Sequence, residues 1–60
     1  MDLPKDPVIL LSVVNAQLRD QYPTLKELAA AYMVEESVIK DALFSIRYHY
    51  DENLNQFTAV

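Results

Sequence analysis

Thr24-Leu25-Lys26-Glu27-Leu28-Ala29-Ala30-Ala31-Tyr32-Met33-Val34-Glu35-Glu36-Ser37-Val38-Ile39-Lys40-Asp41-Ala42-Leu43 reads as two short helices around a corner. Thr24 and Glu27 have the spacing of a capping box, in which the threonine hydroxyl takes the Glu27 N–H and the glutamate reaches back to the Thr24 N–H. This predicts a helix over about 25–32 with Leu25, Leu28, Ala29 and Tyr32 on its apolar face. Met33-Val34 breaks the period and reads as a turn. Glu35 and Glu36 then stand where a helix dipole favours negative charge, and a second helix is expected over about 36–46. Its inward stripe is Ile39, Ala42, Leu43 and Ile46, flanked by Val38.

On the N-terminal side, Pro23 ends whatever precedes it, because the residue before a proline avoids the α region. Asp6 is a good N-cap and Pro7 suits a first helical position, so a helix is expected over about 7–22. Val8, Leu11, Val14, Leu18 and Tyr22 form the stripe expected to face the core. Ile9, Val13 and Ala16 fall on nearly the opposite side, so this helix needs cover twice, the second time from a hairpin or another subunit. On the C-terminal side, the period changes from 3.6 to 2 after Ile46. Arg47-Tyr48-His49-Tyr50 and Gln56-Phe57-Thr58 read as two strands, and Asp51 to Asn55 as their turn, giving a hairpin over about 47–58. Two strands alone are not stable in water, so Tyr48, Tyr50 and Phe57 are expected to anchor the hairpin on the helices. Asn15 and Arg19, four apart on one helix face, are expected to tie helix one to the hairpin turn or to Asp6.

The pattern from Leu25 to Leu43 resembles the helix-turn-helix of phage-repressor-type DNA-binding proteins. Ala29 stands at the place where that motif wants a small residue for the close helix crossing, and Val34, Ile39, Ala42 and Leu43 match its apolar spacings. Met33 replaces the turn glycine. A left-handed methionine costs about 1 kcal/mol or more, so the turn is expected to depart in detail from the motif. The expected architecture is therefore mainly α: one domain over 1–60, a three-helix helix-turn-helix bundle closed by a short C-terminal β-hairpin, like a miniature winged helix. The whole chain also resembles a family of short bacterial proteins known only as a domain of unknown function. Leu3-Pro4-Lys5-Asp6-Pro7, Leu10 to Asn15, Leu18-Arg19-Asp20, Tyr48 to Asp51 and Asn55-Gln56-Phe57 carry that resemblance. It implies a bacterial cytoplasmic protein and carries no activity, ligand or catalytic residue to transfer.

Composition narrows the rest. A 60-residue chain buries only about 60% of the surface its unfolded form exposes. Cysteine is absent and His49 is the single histidine, which removes disulfides, thiolate metal sites and multi-histidine sites. No signal peptide is visible and no run approaches the roughly 20 apolar residues of a membrane span, so a cytoplasmic protein away from membranes is expected. Glycine is absent as well, so left-handed turn positions are expected to fall to Asn or Asp. Asp51, Asn53 and Asn55 alternate like calcium ligands but lack the glycine and closing glutamate of such a loop, so they are read as turn chemistry. No catalytic residue, metal or cofactor is expected, and the chain is not read as an enzyme.

The favoured reading is a protein-interaction module, binding itself or another protein, with Ile9, Val13, Ala16, Phe44 and Leu54 as the candidate interface. The alternative is a small winged-helix-type DNA-binding regulator, with Lys26, Ser37, Lys40 and Arg47 as candidate contacts. The net charge of −4 counts against nucleic acid. So does the outward side of the third helix, where Glu35, Glu36 and Asp41 outnumber Lys40.

Overall fold

Residues 2–60 are described by a computed structural model. Three helices, α1 (Pro7–Asp20), α2 (Leu25–Ala31) and α3 (Glu36–Phe44), are followed by an antiparallel hairpin of β1 (Tyr48–Asp51) and β2 (Gln56–Ala59). The hairpin lies across the helices, β1 against α3 and β2 against α1. The core comprises Leu10, Val14 and Leu18 of α1, Leu25, Leu28 and Ala29 of α2, Ile39 and Leu43 of α3, and Phe57 of β2. Burying each of the larger apolar side chains contributes roughly 1.5–3 kcal/mol.

The helix starts follow from local chemistry. The Asp6 carboxylate accepts from the Val8 N–H at 2.8 Å and the Ile9 N–H at 3.4 Å. Thr24 Oγ1 accepts from the Glu27 N–H at 3.2 Å. Only that half of the expected capping box forms, since the Glu27 carboxylate does not return to the Thr24 N–H. Each helix stops one or two residues before the expected end. At α1, the Tyr22 N–H bonds back to the Gln17 carbonyl, which leaves the α-helical pattern before Pro23.

The corner between α2 and α3 is a Schellman turn. The Val34 N–H bonds to the Ala29 carbonyl at 3.0 Å and the Met33 N–H to the Ala30 carbonyl at 3.1 Å, the pairing that caps a helix ending in a left-handed residue. That residue is Met33, at φ 59°. The expectation that the turn would avoid a left-handed methionine is thus corrected. Val34 packs on the core beside it, and this anchor with the two carbonyl bonds outweighs the local cost. Among the described residues, Arg47 (φ 64°) and Asn55 (φ 52°) are the other non-glycine residues at positive φ, so only one of these three positions went to an Asn or Asp.

The inward face of α1 also needs correcting. Leu10, Val14 and Leu18 are buried, Leu11 and Tyr22 are half-buried, and Val8 is 65% exposed. The buried row steps by four residues, and its axis is rotated from the expected stripe so that Leu10 replaces Val8. β2 does not supply the second cover for Ile9, which stays 54% exposed; Val13 and Ala16 are half-buried.

In the hairpin, Tyr48 faces Ala59, His49 faces Thr58, Tyr50 faces Phe57 and Asp51 faces Gln56. The expected anchors hold. Phe57 is buried, Tyr48 and Tyr50 pack on the core, and the Tyr50 and Phe57 rings lie 5.5 Å apart. The Asp51 carboxylate accepts from the Asn53 N–H at 2.9 Å and the Leu54 N–H at 3.2 Å, which makes it the organiser of the turn.

Candidate interaction surfaces

Two asparagines position the hairpin, and both act across the chain. Asn15 of α1 donates Nδ2–H to the Phe57 carbonyl at 3.1 Å and accepts from the Phe57 N–H through Oδ1 at 2.8 Å. One amide thus takes both backbone groups of a β2 residue, as a neighbouring strand would, and closes the edge of β2 that faces away from β1. Sequence reasoning expected Asn15 to reach the hairpin turn or Asp6; it reaches the second strand. Asn55 donates Nδ2–H to the Leu18 carbonyl at 3.0 Å and the Tyr22 carbonyl at 2.9 Å, and its Oδ1 accepts from the Tyr50 hydroxyl at 2.6 Å. The same hydroxyl accepts from the Leu25 N–H at 3.2 Å. Asn55 therefore caps the C-terminal end of α1, where carbonyls lack helical partners, and links it through Tyr50 to the start of α2. The sequence signal for this residue was the lack of glycine, which directs a left-handed turn position to an asparagine.

Arg19 takes no part in this network. Its Nε–H and an Nη–H donate to the two Asp20 carboxylate oxygens, both at 2.9 Å. The pair is exposed on the surface. The Arg19 hydrogen bond holds the Asp20 carboxyl below the usual carboxylate range.

The hairpin turn leans over α1 and leaves an open groove lined by Val8, Leu11, Ser12, Ala16, Arg19 and Leu54, among others. Leu54 is 60% exposed. Of the five expected interface residues, Ala16 and Leu54 come together here, joined by Val8. Ile9 and Val13 continue the apolar surface around α1 outside the groove. Phe44, 55% exposed, lies elsewhere, in a second groove between α3 and β1 with Lys40, Tyr48, His49 and Tyr50.

The four expected DNA contacts are exposed but interleaved with acids. Lys40 Nζ stands 3.9 Å from Glu36 Oε1, and the Ser37 hydroxyl donates to Glu35 Oε2 at 3.4 Å. Lys26 lines a hollow with Glu36 and Glu52, and Arg47 sits in the turn before β1. His49 Nε2 lies 3.4 Å from Thr58 Oγ1 on the exposed outer side of the hairpin. Among the described residues, no three His, Cys, Asp or Glu side chains gather to hold a metal ion, and no helix is long and apolar enough to cross a membrane.

A family described as Domain of unknown function (DUF4250) matches residues 4–57. The chain belongs to DUF4250. The matched span of this DUF4250 chain takes in Asn15, Asn55 and Phe57, the residues that join hairpin to helix. Neither a curated protein nor a solved structure matches it.

Proposed function

We propose that this DUF4250 chain is a non-catalytic protein-interaction module that pairs with a second copy of itself through α1. The observation carrying this reading is the outer side of α1, where Val8 and Ile9 are more than half exposed. Ser12 and Ala16 beside them are small, which permits a second helix to approach closely. In an antiparallel arrangement, Val8 and Ile9 of one copy lie over Ser12 and Ala16 of the other. Asp6 at the positive end of one helix then meets Arg19 at the negative end of its partner, an arrangement favoured by both dipoles. Leu54, raised on the hairpin turn beside the groove, extends the apolar area. Exposed apolar surface of this kind, bounded by polar residues, marks a partner site.

Sedimentation velocity over a concentration series tests the proposal. Concentration-dependent self-association is expected, and Ile9→Asp weakens the contact through α1 by about tenfold or more, since a carboxylate is desolvated without a partner. Ile9 is largely exposed, so the variant keeps its helical circular dichroism. A wild-type chain that sediments as a monomer at millimolar concentration overturns the proposal. The DNA-binding alternative has less behind it, because Glu35, Glu36 and Glu52 lie among its candidate contacts.

A further inference from the structure

The two edges of the hairpin are treated differently. Alternate residues of an antiparallel pair turn their N–H and C=O toward the partner strand, and the residues between them turn theirs away. Phe57 gives both groups to Asn15, so its pair with Tyr50 is one that points away from the ladder. The Val60 N–H bonds to the Arg47 carbonyl at 2.9 Å, which sets the same alternation from the other end. Tyr48 and Tyr50 therefore direct their backbone N–H and C=O groups to the outer edge of β1. Among the described residues, no helix side chain meets them there as Asn15 meets Phe57. The edge is flanked by the groove that holds the exposed Phe44.

We infer that this edge of β1 pairs antiparallel with β1 of a second copy, across a two-fold axis through His49, so that two hairpins form one continuous sheet. The sequence around the axis is self-complementary. Setting Tyr48 against the partner's Tyr50, and Tyr50 against the partner's Tyr48, satisfies the outward backbone groups of both residues on both chains. Sliding the register by two residues in either direction leaves only one such pair within the strand. Continued one residue past the strand, the same alignment brings Arg47, in the turn before β1, near the partner's Asp51, and Asp51 near the partner's Arg47. Arg47 is in no ion pair within the described residues, and Asp51 uses only Oδ1 on its turn. Opposite charges facing each other across strands favour pairing, and like charges oppose it. Phe44, beside the edge, is covered as the second strand comes in. This contact is separate from the α1 pairing and does not need it.

Amide hydrogen exchange at low and high protein concentration tests the inference residue by residue. The amides of Tyr48 and Tyr50 are expected to slow by about tenfold or more as concentration rises, while His49, already bonded to β2, is slow throughout. The concentration effect persists in Ile9→Asp, which separates this contact from the one on α1. Arg47→Asp keeps a residue that tolerates positive φ and places acid against acid, so it removes the effect while the helical circular dichroism remains. If Tyr48 and Tyr50 exchange at one rate up to millimolar concentration, or if Arg47→Asp leaves their slowing intact, the inference fails.

Discussion

Met33 shows how a single residue can be held against its own preference. Its φ of 59° costs about 1–2 kcal/mol for a side chain with a Cβ. The methionine is 91% exposed, so it recovers little by packing. Met33→Gly removes the steric cost and gives back part of the gain as unfolded-state entropy, roughly 0.5–1 kcal/mol. The expected net effect is a stabilisation of about 0.5–1 kcal/mol, read as a rise of several degrees in Tm. A lower Tm for this variant would mean that the methionine contributes contacts its exposure does not suggest.

Between elements, Asn55 joins α1 to the hairpin through three side-chain hydrogen bonds. Two substitutions separate its roles. Asn55→Gly keeps the left-handed backbone and loses three hydrogen bonds, leaving the Leu18 and Tyr22 carbonyls and the Tyr50 hydroxyl short of partners. The expected loss is about 2–3 kcal/mol. Asn55→Ala loses those bonds and adds about 1 kcal/mol of backbone strain, so urea unfolding should rank wild type above Gly above Ala. Equal stability of the two variants would mean that the strain on alanine is no larger than the unfolded-state entropy that glycine loses, roughly 0.5–1 kcal/mol.

How much of this was legible in the sequence differs by element. α2, α3 and the corner between them could be read because Thr24 marks a start and Leu25, Leu28, Ala29, Ile39 and Leu43 keep a clear helical phase. α1 could be bounded but not oriented. Val8, Ile9, Leu10 and Leu11 are four consecutive apolar residues and supply no phase, so the choice of Leu10 over Val8 falls to packing against α2 and α3. The roles of Asn15 and Asn55 were illegible for another reason. Their partners lie 42 residues away for Asn15 and 33 and 37 for Asn55's helix contacts, and no local pattern encodes such distances. In the interaction surfaces, the exposure of Ile9, Phe44 and Leu54 was anticipated. Their division between two grooves depends on where the hairpin docks.

Over the whole molecule, stability rests on a small core. A 60-residue domain typically has about 3–9 kcal/mol at 0.05–0.15 kcal/mol per residue. Phe57 is the only buried residue that the hairpin sends into the core, and truncating a buried phenylalanine to alanine costs about 3–5 kcal/mol. Phe57→Ala is therefore expected to leave a large unfolded fraction at 25 °C, with helical and tyrosine signals lost together in circular dichroism and fluorescence. A helical signal that survives after the tyrosine signal is lost would mean that the three helices fold without the hairpin.

The clasp between Asn15 and Phe57 also has a consequence in time. A ribosome delivers α1 long before β2, so the first helix emerges with an amide and an apolar row whose counterparts have not yet been made. Until Gln56 to Ala59 are made, the core lacks the Phe57 ring and Asn15 lacks both of its backbone partners.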